Sequence, residues 1–427
     1  MREWKNVELG SIIDTLKGNA FKSSNYVDIG VPIVRVSDFT DNSISSESLK
    51  YIDSEYAKLY KKHELLHWDI IIQTVGSWQH NPASIVGKVV RVPKELQYAL
   101  LNQNAVKIIP KEIHPRFLYY RLKNDDFKFY LLGRAQGAAN QASITLNTIR
   151  NFNFLIPELT EQGKIASILS SYDDLIDNNL QRVKLLDESV RTIYHEWFVK
   201  FKIFEQHLEI NENTGLPKFW EKISCADAVE VFSGGTPKTT ISDYWHDEIQ
   251  FFTPKDASPY AYTNGTEKKI SKLGLQKCNS KLYPTNTIFV TARGTVGKLN
   301  MALEPMAMNQ SCYALQGKHG ISQVFLYCSL LDTIDHIKSA ANGGVFDTIV
   351  VDTFKYLSFI RPSEDIIDLF TAHVEPMFEM IRYLIIQNQK LREARDILLP
   401  RLMSGEINVE DVPEEKLERV VKEEVCN

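Results

Sequence analysis

Gly137-Ala138-Ala139-Asn140-Gln141-Ala142-Ser143-Ile144-Thr145-Leu146-Asn147-Thr148-Ile149 runs on to Phe154-Leu155-Ile156-Pro157 and then into a long heptad-patterned segment. The same punctuation returns roughly 205 residues later, as Asn342-Gly343-Gly344-Val345-Phe346-Asp347-Thr348-Ile349, then Phe359-Ile360-Arg361-Pro362 and a second heptad segment. So long a period excludes a solenoid and points to two copies of one domain-plus-helix unit. Two copies suggest a two-part target.

Other stretches keep the same order in both halves. Trp4, Val7, Leu9 and Ile12 open the first copy, and Phe219-Trp220, Ile223 and Val229 open the second. Lys17-Gly18-Asn19-Ala20-Phe21-Lys22 answers Phe232-Ser233-Gly234-Gly235-Thr236-Pro237-Lys238, and Pro32 to Asp38 answers Ile249 to Asp256. Asp69 to Thr74 with its glycine loop answers Asn286 to Thr291 with Arg293-Gly294-Thr295-Val296-Gly297-Lys298. Asn102-Gln103-Asn104 answers Asn309-Gln310-Ser311.

The heptad segments predict helices over about 160–198 and 364–402. Their stripes are Ile165, Leu169, Tyr172, Ile176, Asn179, Val183, Leu186, Val190, Ile193, Trp197 and Ile367, Phe370, Val374, Met377, Ile381, Leu384, Asn388, Leu391, Arg395, Leu398, Leu402. Steps that average 3.5 over about five heptads make a coiled-coil seam. At about 1.5 Å rise per residue each helix is roughly 57 Å long. Neither can bury its stripe alone, and the other copy's helix is the obvious partner, antiparallel if a two-fold axis relates the copies. Asn179 and Asn388 either fix the register or hydrogen-bond in a wet patch, while Pro376 should kink or break the second helix.

Outside the helices, short β-branched runs such as Ile70-Ile71-Ile72 and Thr287-Ile288-Phe289-Val290 alternate with glycine loops and short helices, which reads as α+β. Residues 202–217 read as a linker. Five scattered cysteines without a CxxC suit a reducing cytoplasm, and the absence of a long apolar run argues against a membrane span. The net charge of −5 lies in the tail from Gly405, with eight acids against three bases; the globular halves are nearly neutral, which permits DNA binding through local patches.

Catalytic signatures do not assemble. Asn81-Pro82-Ala83-Ser84 lacks the second proline and the aromatic of a methyltransferase loop, and Gly294-Thr295-Val296-Gly297-Lys298 lacks the spacing of a phosphate cradle. What stands out instead are polar loops carrying residue types that read base edges and hold phosphates. In the first copy the candidates are Lys22, Arg35, Ser77, Trp78, Gln79, Asn81, Lys88, Asn140 and Gln141; in the second, Thr236, Lys238, Lys255, Arg293, Thr295 and Lys298. The alternative for each is an ordinary turn residue, and Trp78 is either a packed core aromatic or a stacking platform.

Val75-Gly76-Ser77-Trp78, Asn81-Pro82, Val86-Gly87-Lys88-Val89-Val90, Gly137 to Ile144, Tyr194-His195-Glu196-Trp197-Phe198-Val199 and Leu398 to Ile407 together resemble type I restriction–modification specificity subunits over essentially the whole chain. The resemblance implies an α+β fold with target-recognition domains at 1–158 and 218–362, pseudo-two-fold related and separated by an antiparallel coiled coil of helices at 159–200 and 363–404. A linker at 201–217 and an acidic tail at 405–427 complete it. It also implies a non-catalytic, cytoplasmic subunit that reads a bipartite, asymmetric site in double-stranded DNA, with the helices setting the unread gap. Two modification subunits would dock on it and methylate adenine with S-adenosylmethionine; restriction subunits, where present, would use ATP and Mg2+. No cofactor or metal is expected on this subunit. Tyr194, Trp197, Phe198, Leu398 and Leu402 are the candidate docking residues.

Overall fold

The computed structural model describes residues 4–78, 85–138, 141–204, 206–246, 248–263, 265–340 and 348–409. The chain forms two compact units: residues up to Asp174 together with those from Arg392 on, and Leu175–Leu391.

In the first unit the β-branched run Ile70–Gln73 is buried along its whole length, as expected of a central strand covered on both faces. It lies in an antiparallel sheet of order Ile13–Lys17, Ala105–Pro110, Ile70–Gln73, Val89–Arg91. A second sheet sets Tyr26–Val27, Lys50–Ile52, Val31–Val34 and Leu100–Leu101 side by side, the last two parallel. A small sheet joins Gln136–Ala138, Gln141–Ser143 and Val75–Gly76. Pro115, set for the first helical turn by its fixed φ, opens the helix Pro115–Lys123, whose Phe117, Leu118, Tyr119, Tyr120 and Leu122 are buried. Lys5–Glu8 pairs with Asn153–Ile156, the strand that leads into the first long helix.

The second unit repeats the strand order of the main sheet and the parallel pairing of the second. Its antiparallel sheet runs Val229–Ser233, Cys312–Gly317, Ile288–Thr291, Leu299–Met301. The second sheet holds Lys269–Ile270, Ile249–Phe252 and Met306–Met308, the last two again parallel. Glu221–Ser224 pairs with Ser358–Arg361 ahead of the second long helix. Residues 202–217 carry short pairings, Lys202–Ile203 with Gln206–His207 and Ile210 with Pro217.

The long helices run Leu159–Tyr194, continued by a wider turn at His195–Val199, and Glu364–Met403. Each contributes residues to both units, and within each unit the stripes pack on one another in antiparallel sense. In the first unit Ile165, Ala166 and Leu169 share a core with Leu402 and Met403, and Asp173 pairs with Arg395. In the second, Val183, Val190 and Tyr194 share a core with Phe370, Val374, Ile381 and Leu384. Full burial of such side chains contributes about 1.5–3 kcal/mol each.

The seam turns polar midway. Asn179 Nδ2 donates to Asn388 Oδ1 at 2.9 Å and to Gln387 Oε1 at 2.9 Å, while Asn388 Nδ2 donates to the Ile176 carbonyl at 3.2 Å. The two asparagines meet each other, which favours the register reading over a wet patch. In the first unit Asp173 accepts from Arg395 and, at 2.6 Å, from the Tyr120 hydroxyl. Burial works against the charged guanidinium of Arg395, but the Asp173 and Asp396 carboxylates outweigh it and raise its pKa.

The expected break at Pro376 does not occur: Glu364–Met403 is one unbroken helix. Pro376 and Ala372 both lie on the exposed face, so the carbonyl left without an N–H partner opens to water rather than into the seam.

Candidate nucleic-acid interface

In the second unit the candidate loops all leave strands at one edge, and the connection Asn309-Gln310-Ser311 ties them together. Asn309 N–H donates to the Phe252 carbonyl at 2.9 Å, Ala292 N–H to Ser311 at 2.8 Å, Gly235 N–H to Met308 at 3.2 Å and Gly234 N–H to Cys312 at 3.4 Å. Around this hub stand Thr236, whose hydroxyl donates to Gln310 Oε1, and Thr295, whose Oγ1 donates to the Pro254 carbonyl at 3.4 Å beside Lys255. Thr236, Lys238, Lys255, Arg293 and Thr295 are exposed, and Lys298 is half-buried just ahead of the returning strand.

The first unit builds the same hub from Asn102-Gln103-Asn104. Asn102 N–H donates to Val34 at 2.9 Å, Thr74 N–H to Asn104 at 2.8 Å, Asn19 N–H to Leu101 at 2.9 Å and Gly18 N–H to Ala105 at 3.0 Å. Glycine is required at the same place in both units. A Cβ on Gly18 would overlap the Asn102 carbonyl, and one on Gly234 the Asn309 carbonyl. The glycine loops also correspond: Gly87 N–H bonds to Gln73 at 2.8 Å with φ 82°, and Gly297 N–H to Thr291 at 2.9 Å with φ 78°. Both conformations favour glycine.

Several candidates are occupied differently from the sequence expectation. Arg35 is turned onto Asp38 (Nη2 to Oδ1 at 2.7 Å) and the Ser48 carbonyl (2.7 Å), and its backbone N–H also binds Asp38 at 2.8 Å. Thr253 holds Asp256 in the same manner, backbone N–H at 2.8 Å and hydroxyl at 2.7 Å. Arg35 is therefore a clamp on its own turn, because a neighbouring carboxylate offers its guanidinium a bidentate partner. Lys88 is largely buried, with Nζ 3.6 Å from Asp41. Ser77 is buried and bridged to Ile85, and Trp78 packs against the first unit's core, which favours the core reading of that tryptophan. Lys22 is exposed and opens the turn closed by Asn25 N–H to its carbonyl at 3.0 Å, as Lys238 does with Ile241 at 3.3 Å. Gln141 is exposed on its strand. Gln79, Asn81 and Asn140, with the Asn81-Pro82-Ala83-Ser84 stretch, lie outside the described residues.

The Gly294–Lys298 loop passes into the strand Leu299–Met301 rather than into a helix, so it lacks the helix N-terminus on which a phosphate cradle depends. Burial pushes the Cys225 and Cys312 thiols up to about 12, which leaves neither a thiolate nucleophile. The candidate docking residues sit at the ends of the long helices. Tyr194, Trp197 and Phe198 are buried among Trp220, Phe325 and Phe370, Leu402 is buried with Met403, and Leu398 is half-buried. Their aromatic and aliphatic bulk packs into these cores, and Tyr194 and Phe198 also line a cavity with Trp220 and Ile360. The sequence reading also passed over Gln103 and Gln310 as contacts, although their place in the duplicated order marked them.

A strand-and-loop scaffold built twice, each copy joined to a long helix, defines the class, and comparison with known proteins agrees. The profile of the type I restriction modification DNA specificity domain matches residues 1–186 and 217–375, and the chain belongs to that family. It is the DNA specificity subunit of a type I restriction–modification system, in which catalysis resides in the modification and restriction subunits. Among its relatives is the type I restriction enzyme HindI specificity subunit of Haemophilus influenzae, 23% identical across 95% of this chain and 100% of the relative. Another is the MjaIX specificity subunit of Methanocaldococcus jannaschii, 26% identical across 73% of each chain. The crystal structure of a type I restriction–modification S subunit from M. genitalium shares the fold, with a TM-score of 0.51 and 15% identity over 94% of this chain and 96% of that one. Among the described residues no helix is long and apolar enough to cross a membrane.

Proposed function

We propose that each β-rich domain reads one half of a bipartite, asymmetric site in double-stranded DNA, and that the paired helices set the unread gap between the halves. The observation that carries this reading is the hub built twice with unlike surroundings. Backbone bonds correspond, yet Ala20 stands where the second unit has Thr236, and the stretch of sequence between Gln73 and Gly87 is longer than its counterpart between Thr291 and Gly297. A common scaffold with different side chains suits two different half-sites. In this reading two modification subunits dock on the chain in the cytoplasm and methylate adenine with S-adenosylmethionine, and restriction subunits, where present, add ATP- and Mg2+-dependent cleavage. Catalysis and cofactors belong to those partners.

Deletion of the gene from a host that carries the modification subunit is expected to erase methylation at one bipartite motif throughout the genome. Sequencing that detects methylated bases checks this, and an unchanged methylation pattern rejects the reading. Specific binding by the assembled complex should also fall steeply with salt, since phosphate contacts release counterions.

A further inference from the structure

We propose that Gln103 and Gln310 are base-contacting, specificity-determining residues, one for each half-site; this rests on the bipartite reading above. Both side chains are exposed at the centre of the two hubs, where the strands carrying the candidate loops end together. The backbone beneath each is held firmly. Gln103 N–H donates to Asn102 Oδ1 at 2.6 Å and to the Asn19 carbonyl at 2.9 Å, and Ser311 N–H donates to Asn309 Oδ1 at 3.0 Å. A rigid backbone under an exposed amide is what precise recognition requires.

The two amides differ in what they offer. The carbonyl oxygen of Gln310 accepts the Thr236 hydroxyl, which turns that oxygen towards the protein and presents the Nε2 hydrogens to an acceptor: N7 or O6 of guanine, or O4 of thymine. In the first unit Ala20 stands in the place of Thr236 and carries no hydroxyl, so that bond has no counterpart. Gln103 offers both donor and acceptor, the pair that matches N6 and N7 of adenine. Thr236 is thereby a positioning residue for Gln310.

The test uses the full chain in complex with its modification subunits, expressed in a host whose methylation is read base by base. Gln103→Ala is expected to relax a single adenine position in one half-site, and Gln310→Ala a single guanine or thymine position in the other. Discrimination at each should fall about tenfold or more. Thr236→Val should relax the position that Gln310→Ala relaxes, an effect a purely structural role would not place there. Where an alanine variant fails to accumulate, Gln103→Asn or Gln310→Asn should give the same single-position change. Motifs unchanged in the variants, or relaxed in both halves at once, overturn the assignment while leaving the bipartite reading intact. An unaltered chain that directs methylation to no bipartite motif overturns both.

Discussion

Trp68 lies between two guanidinium groups, Arg91 at 4.5 Å and Arg116 at 4.2 Å from its ring centroid, and its neighbour His67 feels both charges. Burial first, then Arg91, Arg116 and Lys94, lower the His67 pKa from its ordinary value to about 4. Folded His67 thus stays neutral down to about pH 4, whereas in the unfolded chain it takes a proton near pH 6.5. Between those values unfolding takes up a proton, so the stability this group confers is full above pH 6.5 and is lost as pH falls towards 4. His67→Gln is expected to flatten the acid side of the stability profile. Urea midpoints at about pH 7.5 and about pH 5 should differ less in the variant than in the unaltered chain. None of this was legible in the sequence, because Arg91 and Arg116 reach His67 only through the fold. Arg35 teaches the same lesson. As a residue type it suits phosphate or guanine, but Asp38, three positions on, satisfies it first.

The helices were the most legible elements. A repeat averaging 3.5 residues is imposed by the geometry of the helix itself, so the predicted spans fall close to Leu159–Tyr194 and Glu364–Met403. The polar seam was only half legible. The stripe marked Asn179, Asn388 and Arg395, but the partner of Arg395, Asp173, falls one residue off the stripe, and the pairings depend on the facing helix. Asn388→Leu should cost about 1 kcal/mol, since it removes the bonds of Asn388 to the Asn179 amide and to the Ile176 carbonyl while Gln387 still accepts from Asn179. The double change Asn179→Leu with Asn388→Leu should recover that loss in chemical denaturation, at the expense of a polar pair that specifies register. A double variant as unstable as the single one would show that the pair does not meet in solution.

Taken entire, the chain uses one main-sheet strand order twice and lets both long helices contribute to both units. If the helices act as a spacer, a four-residue insertion at matched points in both lengthens the pair by about 6 Å. That is roughly two base pairs of DNA, given about 3.4 Å per step. Methylation mapping of the insertion variant should find both half-sites unchanged with a wider gap between them. Half-sites that change identity would mean instead that the helices themselves contact bases.

The amino-acid sequence by itself determined the duplication, the two long helices, the α+β character and the family. These follow from periodicity and from the order of residues along the chain, which need no knowledge of distant neighbours. Only the tertiary structure decided which polar residues are available. Arg35 and Lys88 meet carboxylates from their own domain, Tyr194, Trp197 and Phe198 fill a core, and Gln103 and Gln310 emerge at the junction of strands distant in sequence. The reason is physical: a side chain's readiness to bind depends on burial and on the partners it has already found, and both are set by contacts between residues far apart in the chain.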